Sequence, residues 1–143
     1  MPLRSRPTAL LVDISVIKAS LMSLEQHEGR LDLEVLEFVR EARAAGVPVG
    51  IAANGTEQLE ADLDVLGLAG EVDAIVNSWR IQAHKPSKEF FAAACQALGV
   101  PPGQVLFVDD SDRMVRGARA AGLPAYRWTG PDDLRYLRRA LLA

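Results

Sequence analysis

The stretch Thr8-Ala9-Leu10-Leu11-Val12-Asp13 is a short apolar run that stops at a single carboxylate. An unbroken apolar run of this length is typical of a strand that is buried on both faces, as in a parallel sheet. Similar runs occur at residues 47–53 and 105–108. All three runs end at polar residues, so this stretch indicates both the fold class and the place where polar chemistry is concentrated.

Short apolar runs alternate with longer amphipathic segments along the chain. The apolar runs predict strands at residues 8–12, 47–53, 72–76, 105–108 and 125–128. The amphipathic segments predict helices at residues 32–45, 57–66, 86–98, 115–123 and 132–142. This alternation predicts an α/β fold, a three-layer sandwich with a mostly parallel, Rossmann-like sheet of about five strands. The length suits one domain, residues 1–143.

The composition argues against several classes of protein. A net charge of −3 is unusual for a nucleic-acid-binding protein, which normally carries a basic excess. The single cysteine, Cys95, leaves no disulfide framework and no cysteine-rich zinc site. No apolar run approaches the roughly 18 residues of a membrane span, and Asp13 interrupts the stretch that follows the basic N-terminus. We therefore expect a cytoplasmic protein with neither a membrane nor a nucleic-acid partner.

The sequence allows more than one interpretation of two regions. Residues 14–30 do not fit the alternation of strands and helices, and we expect a helical turn or a small flap over the sheet edge there. Trp79, Ile81 and Trp128 are compatible with partly buried packing residues, or with an exposed apolar surface that supports a homodimer.

Polar residues follow three of the predicted strands, at the edge where parallel sheets bind ligands. They are Asp13, Asn54 and the pair Asp109-Asp110, and Lys85 precedes a helix that begins on the same side. Three carboxylates packed together repel by about 4 kcal/mol per pair, at a separation of about 4 Å and an effective dielectric constant of about 20. A divalent cation relieves this repulsion, and oxygen ligands suit Mg²⁺.

Each of these residues also has a simpler interpretation. Asp13 is compatible with a cap on a turn, Asp109-Asp110 with the N-terminus of a helix, and Lys85 with a surface charge. A receiver domain of the phosphorelay type also gathers three acids and a lysine on a parallel sheet, but its acidic pair follows the first strand. Here the acidic pair follows the fourth predicted strand, so the order points to another family.

That order resembles the haloacid dehalogenase-like (HAD) superfamily of hydrolases, over residues 8–142. The four motifs are Leu10-Leu11-Val12-Asp13, Val49-Gly50-Ile51-Ala52-Ala53-Asn54-Gly55, Lys85-Pro86 with Phe90 following, and Val105-Leu106-Phe107-Val108-Asp109-Asp110-Ser111. The stretch at residues 117–123 is similar to the helix that follows the fourth motif. The resemblance implies a HAD-type sheet with the Asp13 strand at its centre. Only forty residues separate Asp13 from Ala53, so no large cap domain is expected.

The resemblance also implies a chemistry. Asp13 attacks phosphorus and forms an aspartyl-phosphate. Mg²⁺ is held by Asp13, by the backbone carbonyl of Ser15 and by Asp110, with Asp109 binding directly or through water. Lys85 neutralises the nucleophile and the phosphoryl oxygens. The implied substrate-binding residues, whose backbone N–H groups around the second motif cradle the phosphoryl oxygens, are Ala53, Asn54, Gly55 and Lys85.

Three positions depart from the pattern of the family. Ser15 stands where most of its phosphatases have a second aspartate, a general acid and base worth about 10²–10⁴ in rate. Ala53 replaces a serine or threonine, which removes a hydrogen bond to a charged group worth about 1.5–3 kcal/mol. Met114 replaces an asparagine or aspartate and cannot orient the metal site or Lys85.

Together these features predict a slow Mg²⁺-dependent phosphate-ester hydrolase, with Asp13, Lys85 and Ser15 as catalytic residues. Its substrate is expected to be a small phosphorylated compound or a phosphoprotein. The alternative is a catalytically weakened or inactive homologue that binds a phosphorylated ligand or a protein partner. Dehalogenation is less favoured, because dehalogenases of this family need no metal, lack the acidic pair and enclose the substrate under a helical cap.

Overall fold

The computed structural model describes residues 6–18 and 31–142. Five parallel strands form one sheet in the order β3-β2-β1-β4-β5. The strands are β1 (Ala9–Asp13), β2 (Val49–Ala53), β3 (Ala74–Asn77), β4 (Val105–Asp109) and β5 (Ala125–Arg127). The central position of β1 confirms the expectation for the strand that carries Asp13.

Helices follow the strands in alternation. They are α1 (Ile14–Ile17), α2 (Leu33–Ala44), α3 (Leu59–Val65), α4 (Ser78–Ile81), α5 (Lys88–Leu98), α6 (Asp112–Ala120) and α7 (Leu134–Leu142), with single 3₁₀ turns at Ala69–Glu71, Pro102–Gln104 and Pro131–Asp133. The five predicted helices are present. The sequence pattern missed α4, because four residues are too few to show a helical period.

The two faces of the sheet bury separate apolar clusters. Leu10 and Val12 of β1 point into one cluster, together with residues of α2 and α7. Ala9 and Leu11 point into the other, together with residues of α5 and α6. This alternation along a single strand is the two-residue period of a strand that is covered on both faces. The architecture is therefore the predicted three-layer α/β sandwich.

Side-chain caps begin the long helices close to where the sequence indicates. The Asp32 side chain accepts hydrogen bonds from the first turn of α2, and the Ser87 side chain does the same for α5. Gly99, with a φ of 75°, ends α5 in the left-handed conformation. The cap of α6 is Ser111, not Asp109 or Asp110 as the simpler interpretation of that pair required. The two acids are thus not used as helix caps.

Residues 14–30 are described only in part. Residues 14–17 form the single turn of α1, and Lys18 pairs with Leu31 in an antiparallel bridge. Residues 19–30, on which the predicted flap falls, lie outside the described residues. In residues 6–18 and 31–142 there is no large cap domain beside the α/β sandwich. No helix within these ranges combines the length and apolar character that a bilayer crossing requires.

Trp79, Ile81 and Trp128 do not form one apolar surface. Ile81 packs against one of the two clusters and Trp128 against the other, so these two lie on opposite faces of the sheet. Trp79 is 44% exposed. The packing interpretation holds for Ile81 and Trp128, and a homodimer stays a prediction.

Candidate active site

The ends of β1 and β4 bring three carboxylates together. These two strands are neighbours in the sheet, and Asp13 and Asp109 are their last residues. One carboxylate oxygen from each of Asp13, Asp109 and Asp110 lies within 4.8 Å of the others. Asp109 is only 2% exposed, whereas Asp110 is exposed and Asp13 is intermediate. The predicted convergence of these acids is therefore what the fold produces.

Lys85 is a buried cation between two of these acids. Its side chain comes from the loop before α5 and is shielded from solvent, with the residue only 5% exposed. Its Nζ forms an ion pair with Asp13 and donates to Asp109 Oδ2 at 3.1 Å. The same ammonium lies 5.7 Å from the centre of the Phe107 ring. The simpler interpretation of Lys85 as a surface charge is wrong.

Ser15 links the central acid to the exposed one. Its backbone N–H donates to Asp13 Oδ2 at 2.9 Å, which makes Asp13 the N-cap of α1. Its hydroxyl lies 2.5 Å from the same oxygen and 3.2 Å from Asp110 Oδ1. A hydroxyl has only one hydrogen to donate, and the shorter distance directs it to Asp13. Asp13 thus has Lys85 on one oxygen and Ser15 on the other.

Burial dominates the electrostatics of Asp109. Desolvation raises the pKa of Asp109 to about 6, and the neighbouring Asp13 carboxylate acts in the same direction. The Lys85 ammonium and the Ser111 N–H, which donates to Asp109 Oδ1 at 2.9 Å, oppose this rise in pKa. The charged form of Asp109 is therefore costly in the protein without further positive charge.

A side chain of the loop after β2 forms hydrogen bonds with the backbone of Lys85. The Asn54 side-chain Oδ1 accepts from the Lys85 N–H at 2.8 Å, and Nδ2 donates to the Lys85 carbonyl at 3.1 Å. The Gly55 N–H donates to Ser78 Oγ at 3.0 Å, so it is engaged within the protein instead of facing a ligand. Ala53 is a buried, apolar end to β2. Binding of phosphoryl oxygens by this loop stays a prediction.

Two buried polar residues at this edge escaped the sequence analysis. Asn77 is the last residue of β3 and Ser78 the first of α4, and both are almost fully buried. Asn77 Nδ2 donates to the Thr56 carbonyl at 2.8 Å, and Asn77 Oδ1 accepts from Trp79 N. Asn77 and Ser78 thus hold the loop after β2 in place. The sequence could have indicated both residues, because they directly follow the apolar run of the third predicted strand, as the other polar residues of the site follow theirs.

The donor set fits a hard divalent cation. Asp13, Asp109 and Asp110 supply only carboxylate oxygens, and the adjacent Ser15 backbone offers a carbonyl oxygen, the ligand types that Mg²⁺ prefers. Lys85 balances one of the three negative charges. The remaining excess of negative charge favours a cation at this edge of the sheet.

We expect Lys85→Met to lower the stability of the metal-free protein more at pH 8 than at pH 5. Loss of the ammonium raises the pKa of Asp109 further above its unfolded-state value. The stability carried by such a group is present at low pH and is lost as the pH rises through the folded-state pKa. At pH 8 we expect a loss of about 3–5 kcal/mol, typical of a broken buried ion pair.

Chemical denaturation at the two pH values measures this difference. The matched control is Lys88→Met, at an exposed lysine of α5, which should change stability by no more than about 0.5 kcal/mol. An equal loss at both pH values in Lys85→Met would show that the buried ion pair with Asp109 does not exist in solution.

Comparison with known families agrees with this geometry. Residues 8–122 match the family model for haloacid dehalogenase-like hydrolases. The matched region includes β1 to β4, Lys85 and the three acids. The chain belongs to the haloacid dehalogenase-like hydrolase family.

Curated relatives match the chain over part of their length. The chain is 38% identical over 90 residues to Phosphatase MT3486 of Mycobacterium tuberculosis, covering 62% of this chain and 42% of that protein. It is 39% identical over 66 residues to fructose-1-phosphate phosphatase YqaB of Escherichia coli K12, covering 46% and 35%. It is 32% identical over 92 residues to the (S)-2-haloacid dehalogenase of Pseudomonas sp. strain YL, covering 64% and 40%. The chain thus spans half or less of the length of these relatives.

Solved structures share the fold over most of the chain. An uncharacterized protein from Corynebacterium glutamicum ATCC 13032 superimposes with a TM-score of 0.74 at 26% identity, covering 94% of this chain and 93% of that one. A HAD phosphatase from Thermococcus onnurineus superimposes with a TM-score of 0.73 at 25% identity, covering 83% and 62%. The first match shows that this α/β architecture occurs in a chain of similar length.

Proposed function

We propose that the protein hydrolyses a phosphate ester in a Mg²⁺-dependent reaction that passes through an aspartyl-phosphate on Asp13. The observation that carries the proposal is the placement of Lys85 between Asp13 and Asp109, with Asp110 alongside. A nucleophilic carboxylate, a buried cation and an excess of metal-binding oxygens at one edge of the sheet suit phosphoryl transfer. Phosphatases among the curated relatives support the same reaction class.

Each residue of the site would have a distinct role in the two steps of the reaction. The Asp13 carboxylate attacks phosphorus, the bond from phosphorus to the ester oxygen breaks, and the alcohol leaves with a proton taken from solvent. Lys85 offsets negative charge on Asp13 and on the phosphoryl oxygens. Water then attacks the aspartyl-phosphate, releasing phosphate and restoring the carboxylate. A Mg²⁺ ion bound by Asp13, Asp109, Asp110 and the Ser15 carbonyl would supply further positive charge.

Ser15 makes this reaction slow. A hydroxyl is a poor proton donor near neutral pH, and here it is also hydrogen-bonded to the nucleophile itself. Neither the departing alcohol nor the attacking water receives acid–base help from this position. We therefore propose that departure of the alcohol and hydrolysis of the aspartyl-phosphate both depend on solvent.

A second candidate function rests on the departures at Ser15, Ala53 and Met114. In this alternative the protein is a weakened or inactive homologue that binds a phosphorylated ligand or a protein partner. Retention of the full set of charged residues around Asp13 favours catalysis over this alternative. Dehalogenation is less favoured still, because the acidic pair Asp109-Asp110 is present and the described residues contain no large cap.

The substrate site lies at an open sheet edge in the part of the chain that the structure describes. Such an edge admits a small phosphorylated compound or a phosphorylated segment of a protein, and we propose these as the substrate classes. A homodimer in which a second subunit covers the edge is compatible with the partial exposure of Trp79.

Release of phosphate from aryl and sugar phosphates, with and without Mg²⁺, tests the proposed function. We expect an aryl phosphate with an acidic phenol to be hydrolysed far faster than a sugar phosphate, because its leaving group needs no proton. The dependence of log kcat/KM on leaving-group pKa measures this effect. Release that is equally fast from both substrates would show that some other residue acts as the acid.

We expect Mg²⁺ binding to weaken as the pH falls below about 6. The pKa of Asp109 is raised to about 6, and its proton competes with the ion for the same carboxylate. The dissociation constant at pH 5 should exceed that at pH 7.5 by about tenfold, the change expected for one competing proton with this pKa. Calorimetric titration with MgCl₂ measures it. No binding at millimolar Mg²⁺ and pH 7.5 would remove the metal from the proposed function.

A further inference from the structure

The position of Lys85 depends on contacts made by the backbone of its loop as well as on those of its side chain. Its ammonium must reach Asp13 and Asp109 across the sheet edge, yet it is carried by a loop between α4 and α5. Met114, on the first turns of α6, packs into an apolar cluster and offers no charged or hydrogen-bonding group to Lys85. Something else must hold the loop that carries this lysine.

One side of the loop is held by Asn54. Its amide makes two hydrogen bonds to one residue, accepting from the Lys85 N–H at 2.8 Å and donating to the Lys85 carbonyl at 3.1 Å. This uses the acceptor and one N–H of the side chain. Asn54 follows β2, next to β1, so the contact ties the backbone of Lys85 to the rigid part of the sheet. The backbone of Lys85 is thereby fixed in both position and direction.

The other side of the loop is held by the backbone of α6 at Gly117. A Cβ atom built on Gly117 would lie 2.3 Å from Pro86 Cβ and 3.1 Å from the Pro86 carbonyl oxygen. The first distance is about 1 Å shorter than ordinary van der Waals contact. Both atoms belong to a ring or to the main chain, which cannot rotate away as a flexible side chain would. Only glycine lets α6 approach Pro86 this closely.

We propose that Asn54 and Gly117 are positioning residues for Lys85, holding the Lys85-Pro86 segment from two sides so that the ammonium reaches Asp13 and Asp109. Asn54 acts through hydrogen bonds and Gly117 through the absence of a side chain. The effect on turnover rests on the proposed function, but the placement of Lys85 does not. Asn54 in this proposal does not bind the substrate with its side chain.

The first test is a double-mutant cycle on affinity for inorganic phosphate in the presence of Mg²⁺. We expect Asn54→Ala to weaken binding by about tenfold or more, the size of a lost or misplaced charged contact. In a Lys85→Ala background, Asn54→Ala should have no further effect, because it acts only through Lys85. Equal effects in both backgrounds would show that Asn54 contacts phosphate itself and would overturn the proposal.

Gly117→Ala tests the other side of the loop. Pro86 must move by about 1 Å to admit the new methyl group, and a misplacement of this size can reduce rate by about a hundredfold. We expect kcat and phosphate affinity to fall together, with a moderate fall in Tm. The matched control is Gly50→Ala, whose Cβ would crowd only the ends of Leu98 and Leu11 at 3.2 and 3.3 Å. It should lower Tm without weakening phosphate binding.

Crystal structures of the variants keep the test independent of activity. Asn54 is exposed, so Asn54→Ala should fold and leave no core cavity. We expect its Lys85 ammonium to be displaced from Asp109, whereas Thr56→Ala, a control on the same loop, should keep the distance of 3.1 Å. If wild type binds no phosphate, the proposed function fails. If Lys85 keeps its place in both Asn54→Ala and Gly117→Ala, the positioning role fails.

Discussion

Ser15→Asp is expected to raise turnover by a large part of the factor of about 10²–10⁴ that acid–base catalysis contributes. A carboxyl group at this position would protonate the departing alcohol and then take a proton from the attacking water. The gain should be largest for sugar phosphates, whose alcohols leave poorly without a proton. Steady-state release of phosphate from a sugar phosphate and from an aryl phosphate measures the two gains.

The same substitution should change which step limits the reaction. In the wild-type protein, water attacks the aspartyl-phosphate without a base, so the intermediate is expected to accumulate. Rapid mixing with an aryl phosphate should then give a burst of phenol followed by a slow steady state. Ser15→Asp should shorten or abolish the burst, because hydrolysis of the intermediate becomes faster.

Ser15→Asn is the matched control for this gain. Asparagine has the size of aspartate but cannot exchange a proton near neutral pH, so its turnover should stay near or below that of wild type. Ser15→Asp also places a fourth carboxylate beside Asp13 and Asp110, and we expect it to bind Mg²⁺ more tightly than wild type. If Asp and Asn at position 15 give equal turnover, proton transfer at this position is not what limits the enzyme.

Asp13→Asn is expected to abolish formation of the phosphoenzyme and to reduce turnover by on the order of 10⁴-fold or more. The amide keeps the size of the side chain and one oxygen, but it is not a nucleophile. Acid-quenched protein from the burst phase, analysed by mass spectrometry, should carry one phosphoryl group in wild type and none in the variant. The added mass should disappear on treatment with hydroxylamine, which cleaves acyl phosphates.

An exposed acid at the same end of the sheet serves as the control for Asp13→Asn. Asp112 lies on the first turn of α6 and pairs with Arg116 on the surface. Asp112→Asn should leave turnover and the phosphoenzyme unchanged, because exposed pairs of this kind contribute little. Turnover that survives in Asp13→Asn would place the reaction elsewhere and would favour the interpretation of this edge as a binding site.

The two predictions also separate the two candidate functions. A weakened hydrolase loses its remaining activity in Asp13→Asn and gains activity in Ser15→Asp. A protein that only binds a phosphorylated ligand shows neither change, although both variants can alter its affinity. Phosphate release and phosphate binding measured on the same preparations therefore decide between them.

The sheet and the meeting of its acids were predictable from local sequence. Each of the first four strands is a short apolar run that ends at or just before a polar residue, and neither feature needs knowledge of distant contacts. Parallel strands align their carboxyl ends at one edge, so the alternation predicts that Asp13 and Asp109 lie on the same edge, and the pairing of β1 with β4 makes them neighbours there. The same reasoning reached Asn54 as a residue of the site, but not the partner of its side chain.

What the sequence could not determine are the contacts between segments distant along the chain. Lys85 is buried at the sheet edge beside Asp13, Asp109 and the Phe107 ring, and no local pattern distinguishes it from an exposed lysine. Asn54 forms hydrogen bonds with the backbone of Lys85, which is 31 positions away. Gly117 contacts Pro86, although α5 and β4 lie between them along the chain. Hydrogen bonds and close packing of this kind depend on where backbones meet in space. The acids of the site and Lys85 were expected there from the strand ends and the order of the motifs, whereas the burial of Lys85 and the contacts that hold its backbone follow only from the packing of the folded chain.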